Sequence, residues 1–287
     1  MMISIASGKG GTGKTTVAVN LAAAVQDLGV QLLDCDVEEP NAHLFLKPVM
    51  TESVDIHAEV PEINLQRCTH CGQCQDICQF NAIAILPEAA LTFPELCHSC
   101  GGCFLVCPED AVEGKTRLLG TVEQGLRDSI RFTHGRLRVG EAMAPPLIRE
   151  VRKRAEKDRI TIVDAPPGTS CPVIASLRGS DFVVLVTEPT PFGLNDLELA
   201  VGAVRKLNLP MGIVINRSDM GDDRILHYAE REGLPILLQI PFDRNVAERY
   251  ARGELLTEAL PWWKQSMLSL FGEIKNRLEA PQLLPMR

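Results

Sequence analysis

The 287-residue chain has no run of apolar residues approaching the ~20 needed to span a bilayer. Its apolar start, Met1 to Ser7, is too short for a signal-peptide core and runs straight into glycines. The expectation is a cytoplasmic protein without stable membrane insertion. Positive charge is also short, with 29 Lys and Arg against 37 Asp and Glu, a net of −8. Non-specific nucleic-acid binding needs a basic footprint, so no nucleic-acid partner is expected. Extensive disorder is excluded, because 45% hydrophobic and 23% charged residues are globular values. Cysteine, by contrast, is plentiful at 10 residues. In a reducing compartment these point to metal or catalysis and not to a disulfide framework. Eight of them fall between Cys68 and Cys107.

Along the chain, short apolar runs alternate with helical patterns. Met2 to Ser7 reads as a buried strand, Thr15 to Gln26 as a helix stopped by Gly29, and Val30 to Leu33 as a second strand leading into Asp34-Cys-Asp36. Further strands are expected at Ile160 to Val163, Phe182 to Val186, Met211 to Ile215 and Pro235 to Ile240, with helices at Asn195 to Leu207 and Arg224 to Glu232. Such alternation implies an α/β fold with a mainly parallel sheet. Polar groups gather at the carboxyl ends of the strands, where open α/β sheets bind ligands. The cysteine block interrupts this pattern, so it reads as an insertion. The expected division is a discontinuous nucleotide-binding domain, 1–60 and 116–287, around a small insert, 61–115. Between Pro61 and Lys115 seven acidic residues face two basic ones, which makes the insert acidic.

Gly8-Lys-Gly-Gly-Thr-Gly13-Lys14-Thr15 fits the phosphate-loop pattern G-x-x-x-x-G-K-[ST], and it lies between an expected strand and an expected helix. Glycines let backbone N–H groups turn inward around phosphate oxygens, and the following helix points its positive end at them. The candidate nucleotide-binding residues are Gly8, Gly10, Gly11, Thr12, Gly13, Lys14, Thr15 and Thr16. Lys14 is expected to neutralise the β- and γ-phosphates, and the Thr15 hydroxyl to join a Mg²⁺ shell.

Lys9, in Lys9-Gly-Gly-Thr-Gly-Lys14-Thr-Thr16, makes the loop resemble the deviant Walker motif of the MinD/ParA/Mrp superfamily of P-loop ATPases. The resemblance covers nearly the whole chain outside the insert. It implies ATP and Mg²⁺ as ligands and a nucleotide-dependent homodimer, or a dimer with a related ATPase, in which Lys9 reaches the partner's phosphates. Asp34-Cys-Asp36 resembles the first switch, where Asp36 would orient or activate the attacking water and Asp34 would prop the strand end or share the outer magnesium shell. Asp164-Ala-Pro-Pro-Gly168 resembles the second switch, with Asp164 holding a magnesium-bound water and the Gly168 amide sensing the γ-phosphate. Lys9, Lys14, Asp36 and Asp164 are thus the candidate catalytic residues. Asn216 and the segment Pro241 to Asp243 occupy the base-gripping positions. Asn216-Arg-Ser-Asp219 also resembles the guanine-reading N-K-x-D motif, which leaves GTP as the alternative nucleotide.

The cysteines form an internal repeat. Cys68, Cys71, Cys74 and Cys78 are each followed 29 residues later by Cys97, Cys100, Cys103 and Cys107. The doubled C-x₂-C-x₂-C-x₃-C spacing is similar to bacterial two-cluster ferredoxins, in which the fourth cysteine of each run ligates the other cluster. That similarity implies two [4Fe–4S] clusters, one on Cys68, Cys71, Cys74 and Cys107 and one on Cys97, Cys100, Cys103 and Cys78. Proline follows Cys107 as the motif expects, but Gln79 follows Cys78. Zinc is the competing metal, since paired C-x₂-C units also suit tetrahedral sites.

Cys35 and Cys171 read as free thiols, buried or partly so. The late C-x₂-C pair by which Mrp-type carriers bridge a cluster between subunits is missing. His70 and His98 occupy non-equivalent repeat positions and read as solvent-facing. Arg149 to Arg159 reads as a solvated basic face, or as a dock for an acidic redox partner through Arg152 and Arg154. Trp263, Met267, Leu270, Ile274 and Leu278 repeat at helical spacing, as for a helix packed on its own sheet. The expected function is ATP-driven switching coupled to electron transfer through the two clusters, with an unidentified redox or cofactor-assembly protein as partner. The alternatives are ATP-dependent delivery of iron–sulfur units or a metal cofactor, and MinD-like positioning.

Overall fold

The computed structural model describes residues 1–279. Eleven strands are present among the described residues: β1 (Met2–Ala6), β2 (Val30–Asp34), β3 (Val49–Ile63), β4 (Ile83–Leu86), β5 (Ala89–Thr92), β6 (Val112–Arg127), β7 (Ile130–Leu137), β8 (Ile160–Asp164), β9 (Phe182–Thr187), β10 (Met211–Asn216) and β11 (Ile236–Ile240). Nine of them make one sheet in the order β11-β10-β9-β1-β8-β2-β7-β6-β3. The run from β11 to β7 is parallel throughout, and β6 and β3 extend it as antiparallel edge strands. This is an α/β P-loop NTPase fold.

The apolar runs become central strands because both faces are covered. Leu32 and Ile162 pack into one core with the helix Lys14–Ala24 and the helix Pro261–Glu279, whereas their neighbours Leu33 and Val163 pack with the helix Ala144–Lys153 on the opposite face. The helix Lys14–Ala24 is buried on nearly every side, which accounts for its Ala- and Val-rich sequence. The carboxy-terminal stripe does pack on its own sheet: Trp263, Met267, Leu270 and Ile274 are all core residues. Each such side chain removed from water contributes about 1.5–3 kcal/mol. Among the described residues no helix is long and apolar enough to cross a membrane.

The long edge strands β3 and β6 form an antiparallel ribbon paired from Val49–Leu126 out to Ile63–Val112. At its tip hangs the cysteine-bearing segment. Val60 pairs with Lys115 and Pro61 with Gly114, so the two expected ends of the insert lie side by side, inside paired strands and not at a linker. The segment's two halves are built alike. Left-handed backbone recurs at His70 and Ser99, at Gly72 and Gly101, and at Asn81 and Asp110, each pair one repeat apart. Each half carries a short helix, Gln73–Ile77 and Gly102–Val106. They share small cores, one of which joins Cys74 and Ile83 to Cys103 and Phe104. His98 is exposed, as expected, and lies flat on Phe80 with ring centroids 3.5 Å apart.

Candidate functional site: a phosphate loop and two cysteine-lined cavities

The sequence Gly8 to Thr15 forms the loop between β1 and the helix Lys14–Ala24, at the carboxyl edge of the sheet. Gly11 and Gly13 have φ of 80° and 94°, a left-handed conformation that costs an L-residue about 1–2 kcal/mol. A Cβ on Gly8 would stand 2.1 Å from the Asp196 carbonyl oxygen, so the loop also needs glycine for space.

Lys14 is buried, and its ammonium donates to Asp164 Oδ1 at 2.9 Å and lies 3.8 Å from Asp36. Burial alone would lower its pKa, but the charges of Asp164 and Asp36 outweigh this and hold it above the ordinary lysine value. Asp36 is pushed up to about 6, first by burial and then by the charge of Asp164, against the opposing pull of Lys14. Asp34 is fully buried and accepts the N–H groups of Asp36, Asn41 and Ala42 at 3.0–3.1 Å. It props the strand end. Burial drives its carboxyl upward and the Ala42 hydrogen bond works against that.

Two buried oxygens in this cradle have no hydrogen-bond partner, Asp164 Oδ2 and Thr12 Oγ1. An orphaned carboxylate oxygen beside a phosphate loop fits a magnesium-bound water. With Thr15 next in the chain, these residues suit Mg-nucleotide. The Gly168 N–H donates to the Ser7 carbonyl at 3.0 Å, with Gly168 at φ 96°. Lys9 is half-exposed and 4.0 Å from Glu188, which also meets Arg217 at 3.0 Å.

Asn216 and Asp243, two of the expected base-binding residues, have side chains that are already engaged. The Asn216 amide donates to the Thr12 carbonyl at 2.9 Å, bracing the phosphate loop. Asp243 caps the helix Arg244–Ala251 by accepting the Asn245 N–H at 2.8 Å. Pro241 is exposed next to Phe242, whose N–H is accepted by Asp219 at 2.6 Å.

The eight clustered cysteines sort into two sets. Cys68, Cys71, Cys74 and Cys107 line one small cavity. Cys78, Cys97, Cys100 and Cys103 line another. Backbone N–H groups point at three of the sulfurs: Ala82 to Cys78, Ala111 to Cys107 and Ser99 to Cys97, at 3.2–3.3 Å. Cys78 and Cys107 are repeat equivalents and receive equivalent bonds, so Gln79 in place of proline leaves that local geometry alike. Among the described residues no three His, Cys, Asp or Glu side chains are drawn tightly enough to hold a single metal ion. Burial pushes the Cys103 thiol up to about 11.

Cys35 is buried as expected, but Cys171 is exposed, because it opens the helix Cys171–Leu177 just after the chain leaves the sheet. Arg152 is turned inward, donating to the Ala175 carbonyl at 3.2 Å and to the Arg178 carbonyl, so it is not part of an open basic face. Sequence reasoning missed the buried ion pair of Arg117 with Glu141, 3.2 Å apart. Its partners are distant in sequence and belong to no motif.

A glycine loop closing on a buried lysine at the carboxyl end of a parallel sheet defines a P-loop NTPase. The chain belongs to the CobQ/CobB/MinD/ParA nucleotide-binding domain family, which matches residues 3–256. An uncharacterised protein of Methanocaldococcus jannaschii is 32% identical over 280 residues, covering 96% of this chain and 97% of that one. An iron–sulfur cluster carrier protein of Aquifex aeolicus is 27% identical over 286 residues, covering 91% of this chain and 62% of the carrier. In three dimensions the chain resembles the septum site-determining protein MinD of Pyrococcus horikoshii, solved with Mg-ADP, with a TM-score of 0.61 at 21% identity over 97% of each chain.

Proposed function

We propose that this protein is a Mg-dependent ATPase whose nucleotide-driven switches act on two [4Fe–4S] clusters held in a ferredoxin-like insert, 61–115, and that it transfers electrons to a protein partner. The observation that carries this reading is the sorting of the eight cysteines into two four-cysteine cavities, each drawing three residues from one repeat and the fourth from the other. Four thiols that are not drawn together around a single point suit a multi-atom group better than a lone zinc ion, which needs four ligands within about 2.3 Å. The N–H groups aimed at sulfur suit a thiolate-ligated group, whose potential such bonds tune. Bound clusters would supply one-electron transfer.

On the nucleotide side, Lys14 is already charged and oriented, and a phosphate would draw it from Asp36 and Asp164. Asp36 then becomes free to orient water, and Asp164 Oδ2 to hold a water on Mg²⁺. The Gly168 N–H, now on Ser7, can exchange that carbonyl for a γ-phosphate oxygen. Catalysis in such sites is positioning plus charge stabilisation. Lys9, held only by a long ion pair, can swing to a second copy's nucleotide, so ATP-dependent dimerisation accompanies turnover. ATP is favoured over GTP by the family resemblance.

A second reading, delivery of iron–sulfur units to a client, is favoured by the similarity to the carrier protein. Mixing the reduced, iron-loaded protein with an apo-acceptor, with and without ATP, separates the two. ATP-dependent reoxidation without iron loss supports electron transfer, whereas iron appearing in the acceptor sinks it in favour of delivery.

A further inference from the structure

The two cysteine cavities are alike in sequence but not in their attachment. Arg117, on β6, is buried, and its guanidinium donates to the carbonyl of Pro94 and, at 3.3 Å, to that of Cys97. The same guanidinium pairs with Glu141, whose side chain is 1% exposed. Glu141 lies in the loop 138–143, where it also accepts the Met143 N–H at 3.0 Å and faces Arg138 at 3.6 Å. The start of that loop is fixed in turn. The Leu137 N–H donates to the Val37 carbonyl at 2.8 Å, and Arg138 N–H to the Leu119 carbonyl at 2.8 Å. Val37 follows Asp36 directly. Among the described residues, no side-chain hydrogen bond joins the loops of the first cavity to the nucleotide-binding body; Arg67 bonds to Glu113, and Asn64 to Glu113 and Gln66, all within the segment.

We infer that the Arg117–Glu141 pair is a latch through which the position of the Asp36–Val37 segment sets the conformation of the loop carrying Cys97, so that nucleotide state acts on one cavity and not on the other. The inference rests on the nucleotide binding proposed above, and not on the clusters. Its moving part is the Asp36 segment, whose contact with Lys14 competes with any phosphate that takes the same ammonium. Its transmitting parts are short, buried and directional. Val37 to Leu137 is one hydrogen bond, Glu141 lies four residues on, and the pair is desolvated, so withdrawing one charge strands the other. A packed connection of this kind has discrete arrangements and little slack. Arg117 is therefore a positioning residue for Cys97.

The repeat supplies an internal control. Amide hydrogen exchange would be followed on the full chain with Mg-ADP and with Mg²⁺ plus a non-hydrolysable ATP analogue. Exchange over 95–100 should differ by roughly fivefold or more between the two states, the low end of measured allosteric couplings. Residues 66–71, the same positions in the first repeat, should not respond. Glu141→Gln keeps an acceptor for Met143 but removes the charge, and Arg117→Gln removes the other partner. Either should abolish the response at 95–100 while nucleotide binding, read by calorimetry, persists. Equal exchange over 95–100 in the two states, an equal response in both repeats, or a response that survives both substitutions would overturn the latch. Calorimetry without any nucleotide binding would overturn the latch and the function together. Iron content of the same samples reports on the clusters separately, since an iron-free chain ends that reading and leaves the exchange result standing.

Discussion

Asp36→Asn should move activity and stability in opposite directions. In the nucleotide-free fold the Asp36 carboxyl is raised from 3.8 to about 6, mainly by burial, and the nearby Asp164 charge adds to this. A shift of roughly two units corresponds to about 3 kcal/mol. Screening at this partly open site reduces that to about 1–2 kcal/mol. The folded pKa lies above the unfolded one, so the folded form holds the proton longer. Stability therefore falls as pH rises from about 4 to about 6 and stays lower above that. Asparagine carries no such cost, and Lys14 keeps its 2.9 Å bond to Asp164. In EDTA the variant should match the wild type near pH 4 and exceed it by about 1–2 kcal/mol at pH 8, roughly 2–4 °C in Tm per kcal/mol for a chain of this size. Nucleotide affinity should hold while turnover is lost. Urea or thermal unfolding across pH, with phosphate release alongside, reads both. A variant no more stable than wild type at pH 8, or one that still hydrolyses ATP at the wild-type rate, would refute the assignment of Asp36 as a strained, water-orienting carboxylate.

Lys14→Ala should cost about 3–5 kcal/mol, because it strands the fully buried Asp164 beside Asp34, and it should abolish nucleotide binding; chemical denaturation and calorimetry check the two halves. Gly13→Ala forces a Cβ to 2.6 Å from the Asn216 amide at φ 94°, so a loss of at least about 1–2 kcal/mol together with weakened nucleotide binding is expected. Cysteine-to-serine changes should cross between repeats. Cys107→Ser should give the spectrum of Cys68→Ser, and Cys78→Ser that of Cys97→Ser, each with about half the wild-type iron. Grouping by sequence run instead would contradict the cavity linings.

The nucleotide site was legible because its physics is local. A glycine loop, a buried strand before it and a helix after it lie within two dozen residues, and the parallel strands other than β7, whose run Ile-Arg-Phe-Thr-His-Gly-Arg-Leu is half polar, are largely apolar runs needing no partner to be recognised. The grouping of the cysteines was legible in another way, through the repeat's similarity to two-cluster ferredoxins, which implies that each run shares its fourth cysteine with the other set. The edge strands were not. In β3 the run Ser53-Val-Asp-Ile-His-Ala-Glu-Val60 alternates polar and apolar residues as a half-buried strand does, but the strand is largely exposed over its first half and the alternation names no partner. Its fold comes from pairing with β6, some sixty residues later, a non-local choice that composition does not announce. The roles of Asn216, Asp243 and Arg152 were obscured in another way. Each lies in a segment that a motif or charge run singled out, but its side chain is taken by a backbone partner visible only in three dimensions.

A segment hung on the outer edge of a sheet has two routes by which to sense the nucleotide. One runs laterally, from Asp34 on β2 through β7 to β6 and so out along the ribbon. That route ends at both ribbon strands and reaches both cavities alike, because Ile63 and Val112 enter the segment side by side. It also passes through laddered backbone, which resists small displacements at one strand end. The other route crosses the ribbon at Arg117 instead of running along it, from Val37 into the loop 138–143 and across Glu141 and Arg117 to Cys97. It is shorter, depends on side chains and touches only one repeat. If nucleotide state is to distinguish two otherwise equivalent cysteine sets, the symmetric route cannot do it and the latch can.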